Sequence, residues 1–135
     1  MSISKNNEAF VGAFNTANEF NATAGAAISG FRFVNVTGDG PAVEQAGAGD
    51  SPAGITAQAA ADGQTVRVVT GGVGIVDVDG SIDTTSATSK YIKSGANGIG
   101  VPCSAEDAYY AIALETNATG AGTIRVVIRA GEVPA

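Results

Sequence analysis

The stretch ITAQAAADGQTVRVVT at residues 55–70 recurs in outline as IALETNATGAGTIRVVI at residues 112–128. Aligned on Thr65 and Thr123, both copies read Thr, a β-branched residue, Arg, Val, Val. Upstream, Ile55 and Ala57 fall opposite Ile112 and Leu114, and Gly63 opposite Gly120 if one residue is inserted before Thr123. Each copy reads as strand, turn and strand. Alone, such a unit leaves its apolar face open, so a chain that carries it twice is suited to a β-barrel with pseudo-symmetry. At 135 residues the chain is most simply one domain.

The remaining text supports an all-β reading. Charged residues make up 15% of the chain and glycines number 19, a balance that favours strands separated by glycine turns over a helical bundle. Strands are predicted over residues 31–36 (FRFVNV), 55–58, 65–70, 74–78 and 91–93. The last one, TIRVVIR, alternates with Ile124, Val126 and Ile128 inward and Arg125 and Arg129 outward. The loop AVEQAGAGDSPAG and the polar run SIDTTSATSK separate them. Roughly six or seven short strands at this spacing predict a small β-barrel or sandwich. One local exception is expected: Ser104 followed by Asp107 resembles a helix N-cap with an acidic partner, which predicts a helical turn over residues 105–110.

All five Phe lie at positions 10, 14, 20, 31 and 33. The chain therefore divides into an N-terminal arm, residues 1–30, and a β-rich domain, residues 31–135. Within the arm, Phe10, Ala13, Phe14 and Ala17 share one face if the segment is helical, although Gly12 opposes that; the alternative is an extended arm. Either way, Phe10, Phe14 and Phe20 need cover from the domain or from a partner. Arg67 and Arg125, at matching places in the two copies, read either as ion-pair donors at an interface or as residues that keep an outer face solvated.

Several function classes are excluded or disfavoured. Seven basic against 13 acidic residues give a net charge of -6, which repels nucleic acid. Neither a secretory signal nor an apolar membrane span is evident, so no membrane partner is expected. The Asn-x-Thr triplets at Asn21, Asn35 and Asn117 are accordingly read as turn and strand chemistry. With no His, the commonest general base and metal ligand is missing; Lys5, Lys90 and Lys93 sit in polar segments. No enzyme activity and no cofactor are expected. Cys103 is the sole cysteine and reads as a small buried thiol. Asp77, Asp79 and Asp83 lie close in sequence, but Gly80 is misplaced for an EF-hand loop, leaving a looser oxygen-ligand site against solvated carboxylates at a strand end. The glycine clusters lack the Lys-Ser or Lys-Thr of a phosphate loop.

The stretches PAGITAQAAADGQTVRVVTGGV and YYAIALETNATGAGTIRVVI together resemble the small head-decoration, or cement, proteins of tailed bacteriophages, over roughly residues 52–128. That resemblance implies a β-rich, non-catalytic protein, usually trimeric, made in the host cytoplasm. It would bind the outer surface of the virion and clamp neighbouring major capsid subunits. The Phe-bearing arm departs from the family's compact pattern, and Phe10, Phe14 and Phe20 are candidate anchors on capsid or on a neighbouring copy. Other readings are a different virion part, such as a head-fibre base or a tail-associated β-domain, and a carbohydrate-binding module using Tyr91, Tyr109 or Tyr110.

Overall fold

A computed structural model of the chain describes residues 18–38 and 41–135. The described residues contain no α-helix. Ten strands run in order as β1 (Glu19–Ala24), β2 (Phe33–Thr37), β3 (Ala42–Gln45), β4 (Gly54–Thr56), β5 (Thr65–Val69), β6 (Gly72–Asp79), β7 (Tyr91–Ser94), β8 (Gly100–Pro102), β9 (Ala108–Ala113) and β10 (Ala121–Glu132). They close into two five-stranded barrels, β1-β3-β2-β4-β5 and β6-β8-β7-β9-β10. The expected all-β barrel is present, but as a pair.

The two barrels repeat one another residue by residue. In each, the first strand pairs parallel with the third and antiparallel with the fifth. Ala22 opposite Val66 in the first barrel corresponds to Val76 opposite Ile124 in the second. Likewise Phe33 opposite Ile55 matches Tyr91 opposite Ile112, and Thr56 opposite Val68 matches Ala113 opposite Val126. Even the isolated bridges match, Ile28 with Ala60 and Ile82 with Asn117. The repeat seen in the sequence is the β4–β5 hairpin and its counterpart β9–β10. Gly63 and Gly120, aligned in that repeat, both adopt positive φ, 85° and 66°, a turn geometry that glycine adopts without strain.

The third strands, β3 and β8, were not anticipated. They pair antiparallel with the strands just before them, β2 and β7, but they are short and sit among Gly, Ala and Pro, which read as turns. Gly100 of β8 is required by packing: a Cβ there would lie 2.8 Å from Ile92 Cγ2 and 3.2 Å from Val78 Cγ1.

Two corrections follow along the chain. The division expected at residue 30 falls inside the first barrel, because β1 pairs with β3 and β5 and Ile28 is buried against Ala60. Residues 1–17, with Phe10 and Phe14 and the proposed helical face, lie outside the described residues. The helical turn expected over residues 105–110 is instead a tight turn followed by β9. Glu106 has a positive φ of 71°, and Asp107, rather than Ser104, closes the turn: its carboxylate accepts the Ser104 N–H at 2.8 Å.

Alternation along each strand explains how the barrels join. In β2, Val34 points into the first barrel beside Val43, Val66 and Val68. Its neighbour Phe33 points outward, and with Ile55 and Ala46 it enters the core of the second barrel, against Val76, Ile82, Ile92 and Val126. Phe33 and Ile55 are 1% exposed. The seam is stitched by polar contacts as well. Asp77 N–H donates to Phe31 O at 2.8 Å, and Arg32 Nε meets Asp77 Oδ2 at 3.2 Å. Gly98, in a 3-10 turn over Ala96–Gly98, backs onto the Phe33 carbonyl so closely that any Cβ would clash.

Since the second core includes side chains of the first barrel, the pair should unfold in one transition. Ile55→Ala is expected to cost about 3 kcal/mol and to shift that single transition, as followed by urea denaturation. Two separated transitions in the native chain would contradict a shared core.

Candidate interaction surface

No constellation of reactive groups is assembled among the described residues. One cleft, of about 340 Å³, lies at the seam and is lined by Arg32, Asp77, Asp79, Ile99 and Thr123. Within it Asp77 accepts from Arg32 Nε at 3.2 Å and from Thr123 Oγ1 at 2.9 Å. Arg32 also donates to Asn97 O at 3.1 Å. A second seam cleft of about 170 Å³ is lined by Phe33, Pro52, Tyr110 and Ile128. The Tyr110 hydroxyl lies 2.9 Å from that of Ser51. Tyr110 is therefore engaged between the barrels, while Tyr91 and Tyr109 stack on each other with ring centres 4.5 Å apart.

The looser cation site is not formed. Asp77 is turned to Arg32, and Asp83 Oδ1 accepts the Thr85 N–H and hydroxyl at 2.8 and 2.7 Å, which holds its carboxyl below the usual range. No group of three or more acidic or cysteine residues is placed to hold a metal among the described residues. Cys103 is buried, and burial pushes its thiol up to about 11, outweighing the opposing pull of Lys93. A thiol in that state is not a nucleophile at neutral pH.

The residues singled out as contacts are spread over the molecule. Phe20, on β1, is half-buried and packs on the core of the first barrel. Arg67 on β5 and Arg125 on β10 face outward from different barrels. Each holds a carboxylate of its own barrel: Arg67 Nε is 3.7 Å from Glu19 and Arg125 Nε is 2.6 Å from Glu115. The Arg125 contact and its N–H draw the Glu115 carboxyl below its ordinary range. Being exposed, these pairs contribute little stability.

The sequence reading missed an apolar outer face on the second barrel. Cross-strand neighbours place Tyr91, Ile112, Val127 and Val73 in one row over β7, β9, β10 and β6. A second row beside it runs Leu114, Arg125, Ile75. Val73 is 61% exposed, Leu114 49% and Ile75 40%. One signal was available in the sequence, since Leu114 stands in the second copy where the first has the small Ala57.

No family model matches the chain. No curated protein matches it either. Among solved structures, the crystal structure of the head fiber gp8.5 N base in bacteriophage phi29 superposes with a TM-score of 0.66 at 16% sequence identity, covering 82% of this chain and 92% of that one. At that identity the likeness is one of fold. A match over 82% of the chain also extends beyond either barrel alone, so the paired architecture is shared.

The shift at Cys103 has a measurable consequence. Below about pH 8.5 the thiol is protonated in both states. Between there and about 11 the unfolded chain ionises first, so stability falls as pH rises. Urea midpoints measured at about pH 8 and about pH 10.5 should fall further in the native chain than in Cys103→Ala. Equal falls would contradict the raised value.

Proposed function

We propose that this protein is a non-enzymatic structural component of a bacteriophage head, seated on the outer surface in the manner of a head-fibre base. The observation that carries the reading is the paired-barrel likeness to the phi29 head-fibre base, which spans nearly all of that chain. The acidic charge suits a part that stays off the packaged nucleic acid. A seam carboxylate already held by Arg32 and a buried thiol whose ionisation is pushed up suit a role without chemistry.

The major capsid protein is the partner this reading assigns, with several copies of the chain, such as a homotrimer, sharing each seat. Phe10 and Phe14 are its proposed anchors, and Arg67 and Arg125 supply exposed charge at the edges of the contact. Phe20 contributes mainly to its own barrel. A cement role, in which the bound protein stabilises the mature lattice by preferring it over the immature one, is the second reading. It is favoured by the resemblance of the two hairpin copies to cement proteins.

Purified protein mixed with mature heads that lack it should bind saturably, as measured by gel densitometry of washed heads. A chain beginning at Asn18 should keep both barrels by circular dichroism and bind at least about 10-fold more weakly, a loss of about 1.4 kcal/mol. Absence of binding by the full chain would overturn the proposed seat. Undiminished binding by the shortened chain would overturn the role of Phe10 and Phe14. Heads that release their contents at a higher temperature once coated would support cement, and unchanged release would support a fibre base.

A further inference from the structure

The seam cleft of about 340 Å³ holds polar groups that the fold leaves uncommitted. Its floor is the β6–β10 ladder, where Asp77 faces Thr123 and Asp79 faces Ala121, and Arg32 and Ile99 stand beside them. Asp77 is committed to the seam, since it accepts from Arg32 and from Thr123. Arg32, its side chain 17% exposed, uses Nε on Asp77 and Nη1 on Asn97 O. A guanidinium carries five N–H donors, so further donors remain. Thr123 gives its hydroxyl proton to Asp77, which leaves its oxygen to accept. Asp79 is exposed, and no ion pair among the described residues involves it.

The duplication shows that Asp79 is not a requirement of the fold. Thr23 opposite Thr65 in the first barrel holds the place of Asp77 opposite Thr123, and two residues further on Gly25 holds the place of Asp79. The first barrel closes with no carboxylate at either position. A cleft of this size between two packed units, with a few polar groups beside apolar walls, has the usual form of a small-molecule site.

The chemistry of these groups selects the ligand. Arg32 can only donate, ionised Asp79 can only accept, and Thr123 accepts. An anion drawn to Arg32 meets two carboxylates, and a cation drawn to Asp79 meets the guanidinium. A neutral ligand whose groups both donate and accept can use all three residues. An extended peptide finds no open strand edge on β6, which is paired with β10 on one side and β8 on the other, while Phe31 O takes the Asp77 N–H. A sugar ring carries hydroxyls around its rim and C–H groups on its faces, which suit the polar groups and the apolar Ile99 and Ala121 in turn.

We infer that this cleft binds a neutral sugar residue, free or at the end of a glycan, with Asp79 and Thr123 accepting from its hydroxyls and Arg32 donating to them. The inference goes beyond a structural role on a phage head and stands without it. It also places sugar recognition away from the tyrosines, which are engaged with one another or with Ser51.

The test is a titration of the isotope-labelled full chain, followed by nuclear magnetic resonance, with glucose, galactose, mannose and N-acetylglucosamine. At least one should shift the signals of Asp79, Ile99 and Thr123 saturably, with a Kd of about 1 mM. Glucuronate and protonated glucosamine, charged sugars of similar size, should bind at least about 10-fold more weakly. Asp79→Ala should weaken the best sugar at least about 10-fold and keep the native urea midpoint, since the first barrel holds Gly25 at the same place. Ala121→Phe, at an exposed position on the floor, should fill the cleft and abolish the shifts. Val36→Thr, exposed on the first barrel, should bind as the native chain does. A linked tetramer of the best sugar that binds as tightly as the monomer supports a glycan as the source, and exclusion of the tetramer supports a free sugar. Absence of saturable shifts with all the neutral sugars up to about 50 mM would overturn the inference. So would shifts confined to Tyr91 and Tyr109, tighter binding of a charged sugar, or undiminished binding by folded Asp79→Ala.

Discussion

The insertion of Phe33 and Ile55 into the core of the neighbouring barrel is the contact on which the rest of the molecule depends. A five-stranded barrel this small has an interior filled by a few Val and Ala side chains, and its outer side would ordinarily face water. By turning Phe33 and Ile55 outward from strands whose other side chains fill the first interior, the chain uses both faces of one sheet. Burial of both faces explains why β4 is enclosed at every position. The arrangement also accounts for strain at the seam. Phe31 holds a positive φ of 62°, and its carbonyl accepts the Asp77 N–H while its own N–H donates to Thr56 O. An unfavourable backbone conformation of about 1–3 kcal/mol is held there by hydrogen bonds from both barrels.

Duplication and shared packing together shape what the surface can do. Two copies of a fold joined through Phe33 and Ile55 leave the matching residues of the second copy, Tyr91 and Ile112, outside that contact. The distal face here has lost the polar Glu and Asn of its counterpart and gained Val and Ile. In one seam cleft, by contrast, Asp77 is already held by Arg32 and Thr123. Recognition by broad surface contact is what such a molecule offers, and that agrees with a structural role in an assembly.

How much of this was legible in the sequence varied with the range of the interactions. The strand β10 could be read directly, because Ile124, Val126 and Ile128 alternate against Arg125 and Arg129 and the inward set is what the core requires. The duplicated hairpin was legible for the same reason, its copies sharing Thr, Arg and two Val. The third strands were not, since β3 and β8 are only four and three residues long and lie among glycines, alanines and prolines that read as turns, although each pairs antiparallel with the strand before it. Without them, a ten-strand pair looks like a single barrel of fewer strands. Ser104 and Asp107 misled because a carboxylate that closes a turn and one that supports a helix start have the same spacing. Phe20 looked like part of an arm because its partner, Val68 on β5, lies across a pairing that local pattern does not reveal. The apolar outer face escaped notice because half of it is contributed by residues that read as core.

The most direct test of the account is a cryo-electron microscopy reconstruction of heads carrying the protein, resolved well enough to place individual barrels. The account predicts paired-barrel density on the outer surface, with the end that bears Asn18 nearest the capsid. Ordered density inside the shell or at the tail would contradict it.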